Sequence, residues 1–464
     1  MTPSPPETPH APGTRYRPDA AAPEPSPEDL LARAGGVLRP ALGLYLDVHA
    51  DPELSGQEAR TADRFARGLA SAGCEVVRGV GGHGVVGVLR NGGGPHVWLR
   101  AELDALPVRE RTGLPYASTS EAMHACGHDL HLAAAVGATE LLARLTDRWR
   151  GTLVVVGQPA EETLTGAEAM LRDGLYERFG RPGAVLAQHA APLPSGTVAH
   201  AVGGVPAAAA SAMLDVVLHG TGGHAAAPHL AVDPVVTAAA AVMRLQTVVA
   251  RETAPQDQVS VTVGTLRAGT AANVIPDSAA LGIGVRATDE ASLDRALCAV
   301  HRVLAAESAA SGAPREPSVT VTSRSASLRC DPAVTYAVMR AHSGLLGAAR
   351  VLPWPGSMAA EDFGLFGDAG ASVHGLRGIP LCYWMLGVVD PGVWDRAATG
   401  DRGSLPAPNH SPHFAPHLGS ALRPAVAALT AAALDRFAGP RVAEGRPGAR
   451  ADGGSGRTGP DDAS

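Results

Sequence analysis

Two residues two positions apart, Cys126 and His128, are the strongest candidates for chemistry in this chain of 464 residues. They stand in the segment of residues 124–129, HACGHD, where a thiolate and an imidazole can both reach one metal ion before a helix begins. These ligand types suit Zn²⁺ and its first-row neighbours. On its own, a Cys-x-His pair is more often a buried thiol beside an ordinary histidine, so a metal site requires further ligands elsewhere in the chain.

Glu162, His189 and His410 can supply those ligands. Glu161 and Glu162 follow an apolar strand and Pro159, and neighbouring side chains of an extended segment point to opposite sides. One glutamate can then bind metal while the other takes a proton from a water, a division that metal-assisted hydrolysis requires. We therefore assign Glu161 as the general base and Glu162 as a ligand.

Each of these residues also has a plainer interpretation when it is taken alone. The two glutamates could form a solvated turn, His189 could be a core histidine, and His410 could be exposed in its polar loop. Taken together, Cys126, His128, Glu162, His189 and His410 make five ligands, which exceed one tetrahedral ion. Two metal ions sharing a bridging ligand are therefore expected, and Cys126 is the candidate bridge.

The composition narrows the classes of function. The net charge of −7 and the pI near 6.2 provide no basic surface for nucleic acid or an anionic membrane, which favours small-molecule chemistry. All 38 basic residues are arginine, which excludes a lysine base or Schiff base. Five cysteines, an odd and scattered number, form no disulfide framework, so a cytoplasmic location is expected.

The pattern of apolar residues predicts an α/β protein of more than one domain. Helices are expected over residues 28–50, with an interruption at Pro40, and over 57–72, 129–145 and 167–173; strands are expected over 74–77, 84–89, 96–100, 152–156 and 184–187. Arg100, the glutamate pair and His189 then follow or end strands, and the C-terminal rim of an open α/β sheet is where ligands bind.

A different order begins near residue 206. Strands at 212–218, 258–266, 279–287 and 318–322 and helices at 234–250 and 291–306 give the order β-α-β-β-α-β, typical of a ferredoxin-like domain. A helix at 332–346, a strand near 383–386 and a helix at 418–437 then resume the first domain. The predicted division is a disordered leader (1–27), a first domain in two parts (28–205 and 324–438), an inserted domain (206–323) and a disordered tail (439–464).

Several of these segments resemble the M20 metallopeptidase family, specifically its amidohydrolase branch of hippurate hydrolases, N-acyl-amino-acid deacylases and auxin-conjugate hydrolases. The resemblance covers about residues 30–436 and is carried by the segments DPELS (51–55), DALP (104–107), HACGHD (124–129), QPAEE (158–162), GGHA (222–225), NVIP (273–276), EDF (361–363) and NHSP (409–412).

The resemblance implies a zinc-peptidase-like catalytic domain, a mixed sheet with helices on both faces, and an inserted α+β ferredoxin-like lid and dimerisation domain. It implies that the residues matching Cys126, His128, Glu162, His189 and His410 hold two divalent ions, Zn²⁺ or Mn²⁺, Co²⁺ or Ni²⁺, and that Glu161 is the base. His224 would enter the partner's site in a homodimer to stabilise the oxyanion, and Asn273 and Arg286 would contact substrate.

The expected activity is hydrolysis of the amide bond of N-acyl amino acids or related N-acyl amines. A dipeptidase or aminopeptidase of the same fold is the alternative, and a non-catalytic binding protein is a more distant one. Glu102 and Asp104 are expected beside the metals. Glu102 departs from the family pattern, because an aspartate is usual at this position. Its extra methylene affects the expected rate and metal affinity more than the reaction type.

Overall fold

The computed structural model describes residues 27–254, 256–400 and 405–439. The predicted disordered leader and tail lie outside this part of the chain, apart from Pro27 and Gly439. In the described ranges, no helix has the length and apolar character needed to cross a bilayer.

The first part of the chain alternates helices and strands, as its apolar pattern predicts. Its elements are α1 (Pro27–Gly35), α2 (Leu38–His49), α3 (Ala59–Ser71), β1 (Glu75–Val80), β2 (Gly84–Asn91), β3 (His96–Glu102), α4 (His128–Arg144), β4 (Gly151–Gln158), α5 (Gly166–Arg172), α6 (Leu175–Phe179), β5 (Ala184–Pro194) and β6 (Val198–Ala201). The break between the first two helices lies at Gly36 and Val37, not at Pro40 as predicted. Pro40 is tolerated in the first turn of α2, where its missing N–H would have no helical partner.

The middle part has the predicted order β-α-β-β-α-β, with one short strand pair added. Its elements are β7 (Ala210–His219), β8 (Gly223–His224), α7 (Pro234–Thr247), β9 (Val259–Ala268), β10 (Val274–Ile275), β11 (Ser278–Ala287), α8 (Glu290–Ala310) and β12 (Ser318–Ser325). The last part consists of α9 (Pro332–Leu346), β13 (Val351–Trp354), α10 (Ala371–His374), β14 (Leu381–Val389), α11 (Pro391–Ala398) and α12 (Leu418–Ala438).

The first and last parts share an eight-stranded mixed sheet in the order β1-β2-β4-β3-β5-β14-β6-β13. Strands β3, β4, β5 and β14 run parallel to their neighbours within this central group, whereas β2 pairs antiparallel with β4 and β6 with β14. Separate apolar cores cover its two faces, so the predicted sheet with helices on both sides is confirmed.

The middle part forms a second, antiparallel sheet in the order β12-β7-β11-β9. Helices α7 and α8 pack on one face of it, around alternate residues of β7 and β11 such as Leu214 and Ile283. The other face carries no helix from the described chain and is lined by small and polar side chains. This is the predicted ferredoxin-like arrangement.

Helix α4 positions the candidate site. Residues of almost its whole circumference are buried, as expected for a helix that is apolar all round. It packs against strands β3 and β5 of the large sheet and against helices α2 and α12, and this packing fixes its N-terminal residues.

Candidate active site

Cys126 and His128 are held at the start of α4. Gly127, between them, has φ of 85°, a conformation that favours glycine. Both flanking side chains are buried. His128 Nδ1 donates to the backbone oxygen of Asp104 at 2.8 Å, which leaves Nε2 as the free lone pair directed into the site.

His189 lies beside Cys126, with its Nε2 3.3 Å from the thiol sulfur. The predicted position at the end of a strand is wrong, because β5 extends to Pro194 and His189 lies inside it. Strand β5 stays paired with β14 beyond the apolar run that marked it in the sequence. The Nδ1 atom of His189 donates to the Ala190 oxygen at 2.9 Å, so its Nε2 is available as a ligand.

Glu161 and Glu162 stand in a turn after β4, so the predicted extended conformation is wrong. Ala160 enters this turn with φ of 49°, which is strained for a residue that has a Cβ atom. Both carboxylates nevertheless face His128 Nε2, at 4.0 Å for Glu161 Oε2 and 3.9 Å for Glu162 Oε1. The turn, and not strand alternation, separates the two side chains.

His410 reaches the site from the loop before α12. Its backbone N–H donates to Ala125 O at 2.8 Å, and its φ is 69°. The ring's Nε2 lies 3.5 Å from Glu162 Oε1, and the side chain is 54% exposed at the mouth of the site. A strained backbone at His410, as at Ala160, is frequent where side chains are aimed for function.

Asp104 connects two of these groups. Besides the backbone contact with His128, its Oδ2 atom accepts from the Ser55 hydroxyl at 2.7 Å and from the backbone N–H of Glu162 at 2.9 Å. Asp104, expected beside the metals, thus contacts both His128 and Glu162.

The five ligand candidates form two groups of donor atoms that share one residue. Cys126, His128 and His189 make one group and Cys126, Glu162 and His410 the other, with the donor atoms of each group within 4.8 Å of one another. His128 Nε2 and Glu162 Oε1 are buried and have no hydrogen-bond partner among the described residues. Buried polar atoms without partners are costly unless something else binds them, and divalent ions fit this donor set.

The charges of the cluster also fit cations. Burial alone would raise the pKa of the Cys126 thiol, but the adjacent His189 lowers it well below its ordinary value. Cys126 in turn raises the pKa of His189 to about 9 against the effect of burial. Cys126 and Glu162 raise the pKa of His410 to about 10. Protons shared among ligand atoms in this way are those that metal binding releases.

Glu102 and His131 lie next to this cluster but have other partners. His131 Nε2 accepts the backbone N–H of Ala190 at 2.8 Å, so its Nδ1 carries the hydrogen that is donated to Glu102 at 2.7 Å. Both ring nitrogens are thus occupied, which argues against His131 as a ligand although it is close to His128. Glu102 also pairs with Arg100.

Sequence reasoning missed a buried network behind Glu161. Arg100 donates to Glu361 at 2.8 Å, to Asp362 at 3.1 Å and to Gln158 at 2.9 Å, and the Tyr383 hydroxyl donates to Glu361 at 3.0 Å. The segment EDF supported the family resemblance, but the sequence assigned it no role. Burial, reinforced by the charges of Glu361 and Glu162, raises the pKa of Glu161 well above its ordinary value.

The three residues predicted from the inserted domain lie in different places. Arg286 lines the cavity that contains Cys126 and donates to the Met358 oxygen at 2.6 Å. His224 and Asn273 are brought together, because His224 pairs with Val274 and Ala225 N donates to Asn273 O. Neither lines that cavity within the described chain, and His224 is exposed.

The chain matches a known family from within β3 to just beyond α11. Residues 98–399 match the sequence model of Peptidase family M20/M25/M40. The chain belongs to this family.

Two curated relatives extend the comparison. Hippurate hydrolase of Campylobacter jejuni is 41% identical over 245 residues, which cover 52% of this chain and 63% of the relative. N-acetyl-L-cysteine deacetylase of Bacillus subtilis is 38% identical over 251 residues, which cover 53% of this chain and 59% of the relative. The alignments thus span about three fifths of the length of these M20/M25/M40 relatives.

A solved structure matches over more of the chain. A Bacillus subtilis protein described as a dinuclear metal binding peptidase from the M20 family is similar with a TM-score of 0.68 and 25% identity, over 87% of this chain and 99% of the other. Family membership confirms the predicted resemblance and the two-part fold.

Proposed function

We propose that this M20/M25/M40 protein is a metal-dependent amidohydrolase that cleaves the amide bond of N-acyl amino acids or related N-acyl amines. One observation carries the proposal: the two donor groups that share Cys126 lie directly beside the buried carboxylate of Glu161. Ligands, a separate base and a cavity of about 710 Å³ occur together. The names of the relatives support the N-acyl amino acid as substrate class.

Two divalent ions fit the donor set. Cys126, His128 and His189 would hold one, and Cys126, Glu162 and His410 the other, with Cys126 as the shared ligand. Zn²⁺ suits these ligands, and Mn²⁺, Co²⁺ and Ni²⁺ are the other candidates. When bound, such ions acidify water and polarise the amide carbonyl.

Glu161 moves the proton in this proposal. Its carboxylate accepts a proton from the attacking water and delivers it to the nitrogen of the leaving amine, so one group acts first as base and then as acid. A raised pKa suits both steps, because the protonated form is then populated closer to neutral pH. The buried Arg100, Glu361 and Tyr383 network fixes the wall next to Glu161.

The inserted domain, residues 206–323 between the catalytic parts 28–205 and 324–438, serves as lid and dimerisation domain. Arg286 receives the carboxylate of the substrate, since it is the arginine that lines the cavity. Because His224 and Asn273 lie away from the cavity of their own chain, His224 of the partner subunit would complete the oxyanion site and Asn273 of the partner subunit would contact substrate. This assignment implies a homodimer that acts on a small molecule. The scattered cysteines support a reducing cytoplasm as its location, and the net charge of −7 supports neither nucleic acid nor membrane as a partner.

The experiment is a substrate panel on protein stripped with a chelator and refilled with Zn²⁺, Mn²⁺, Co²⁺ or Ni²⁺. We expect N-acyl amino acids to be hydrolysed only after refilling, and Glu162→Gln protein, the matched control, to recover little activity. Preferential hydrolysis of dipeptides with a free amine would favour the peptidase alternative. Equal activity before and after stripping would refute a metal-dependent enzyme.

A further inference from the structure

A buried histidine at the C-terminal end of α2 lies between two carboxylates. Nδ1 of His49 is 2.6 Å from Oδ2 of Asp129, and its Nε2 is 3.2 Å from Oε1 of Glu110. At most 1% of each of these three side chains is exposed. Carboxylates accept hydrogen bonds, so both ring nitrogens donate and His49 is a buried imidazolium. Asp129, His49 and Glu110 are here called the His49 triad.

The surroundings of His49 hold this cation in place. Burial alone would lower the pKa of His49, but Asp129 and Glu110 raise it above its ordinary value. The ring also packs between two aromatic side chains, with its centroid 5.3 Å from that of Tyr45 and 5.2 Å from that of Tyr116. His49 does not line the cavity beside the ligand cluster, so it acts on the site only through its partners.

The Asp129 arm of the triad is anchored in a helix that is fixed by packing. Asp129 directly follows the ligand candidate His128 in the first turn of α4, and its Oδ1 accepts the backbone N–H of Leu130 at 2.8 Å. Helix α4 packs against β3, β5, α2 and α12. This arm is therefore expected to keep its position when other contacts of the triad are lost.

The Glu110 arm belongs to an irregular loop. Residues 109–118 contain no helix or strand. Oε1 of Glu110 also accepts from the Thr112 hydroxyl, and its Oε2 accepts from the backbone N–H of Ser118 at 2.7 Å. One buried carboxylate thus closes this loop, and His49 is the cation that connects it to the end of α2 and the start of α4.

This loop is paired with the loop that carries His410. The backbone N–H of Arg111 donates to Pro412 O at 2.8 Å, and Nδ1 of His413 donates to the Arg111 oxygen at 2.8 Å. Arg111 directly follows Glu110, and Pro412 is two residues after the ligand candidate His410. The position of His410 relative to α4 therefore depends on the loop that Glu110 closes.

We propose that His49 is a positioning residue for the metal site. Through its two carboxylate partners it holds the His410 loop against the start of α4, so that the donor group containing His410 is in place before an ion binds. The donor group containing His128 depends less on His49, because α4 is fixed by its own packing. This inference rests on the proposed two-ion site and adds a residue outside the ligand set.

Zn²⁺ binding to the full chain stripped of metal tests this role. Calorimetric titration in the presence of a competing chelator gives the affinity of each ion, and the step that His410→Ala removes is that of the group containing His410. In His49→Gln the amide carries no charge and donates to one carboxylate only. We expect the affinity of the His410 step to fall about 10- to 100-fold and that of the other step to change less than about 3-fold, since the lost group orients one set of ligands.

Two further variants make this test selective. His374→Gln is the matched control, because His374 is buried, has hydrogen bonds to the backbone of Gly367 and Leu376, and does not line the cavity. Its affinities for both ions should equal those of wild type. His413→Ala removes an exposed side chain and one of the two hydrogen bonds to Arg111, so it should fold and weaken the same step about 2- to 10-fold.

The outcomes separate this inference from the proposed function. Selective loss of the His410 step in His49→Gln and His413→Ala supports the inference. Equal loss of both steps, or wild-type binding in both variants, overturns it and leaves the amidohydrolase intact. Wild-type protein that binds fewer than two ions refutes the two-ion site and the inference with it. If His49→Gln does not fold, His413→Ala decides these points.

Discussion

The carboxylate of Glu102 lies 2.7 Å from Nδ1 of His131 and fixes the tautomer of that ring. His131 thereby accepts the N–H of Ala190, directly after the ligand candidate His189. The residue that departs from the family pattern is thus part of a buried chain of hydrogen bonds that positions β5. The longer side chain reaches both Arg100 and His131.

Shortening this side chain should disturb the site. Glu102→Asp withdraws the carboxylate by about 1.5 Å, too far to keep both partners. We expect metal affinity or kcat to fall about 10- to 100-fold, the usual cost of removing a group that orients a ligand. Metal titration measures the affinity, and steady-state kinetics measure kcat. The control is Glu75→Asp, the same substitution at an exposed position. Unchanged affinity and kcat would show that the contact with His131 has no role in positioning.

Cys126 should be protected by metal. Alkylation by iodoacetamide requires a free thiolate, so Cys126 should react at least about 10-fold faster in stripped protein than in metal-loaded protein. Peptide mapping by mass spectrometry follows each cysteine, and the exposed Cys298 serves as internal reference because its rate should be the same in both forms. If bound metal slows the alkylation of neither Cys126 nor Cys298, Cys126 is not a ligand.

A buried histidine pair should limit stability in acid. His200 Nε2 lies 3.0 Å from His342 Nδ1, and His342 Nε2 donates to Ala428 O at 3.1 Å, so both rings are neutral in this arrangement. Burial lowers the pKa of His342 to about 4, and burial followed by the neighbouring His342 lowers the pKa of His200 well below its ordinary value. Both groups lie next to Trp384, away from the ligand cluster.

The change of folding stability with pH follows from proton binding by these two histidines. Above about pH 6.5 the two histidines are neutral in both the folded and the unfolded chain, so they do not change stability. Below about pH 6.5 the unfolded chain binds protons that the folded chain does not, so the stability of the folded state falls until about pH 4. For His342 the loss is on the order of 3 kcal/mol. Urea unfolding at pH 7.5 and 5.0 measures the free energy of unfolding, which should fall less between these pH values for His342→Gln than for wild type. An identical drop would contradict the assignment.

Mixed subunits test whether His224 acts in the partner's site. Chains with Glu161→Gln and chains with His224→Ala should each be nearly inactive, whereas an isolated mixed dimer contains one intact cleft and should recover up to about half of the wild-type activity. Differently tagged chains allow the mixed dimer to be purified. A mixed dimer as inactive as its parents would place His224 in its own subunit's site or in a structural role.

The fold was predictable because its apolar runs have clear periods. The apolar run in β4 predicts a strand buried on both faces, and the alternation in β11 predicts a half-buried strand of the inserted domain. The short strands β6 and β13 were missed because four residues carry too little pattern. The length of β5 was underestimated because its pairing with β14 depends on residues about 200 positions away.

The ligand candidates were predictable from residue type, but their geometry was not. Positive φ values at Ala160 and His410 are imposed by tertiary hydrogen bonds, and neither residue type signals them. The same holds for His131, whose two partners are 29 and 59 residues away. Residue type thus identified the ligand candidates, while long-range packing determined how they are held.

The division of labour between the two adjacent glutamates is the central claim, and paired measurements of bound metal and turnover test it most directly. Glu161→Gln should retain its metal and lose about 10²- to 10⁴-fold in kcat, because it removes proton transfer and no ligand. Glu162→Gln should lose bound metal together with activity. Equal metal loss in both variants, or a Glu161→Gln protein that turns over N-acyl amino acids at the wild-type rate, would contradict the claim.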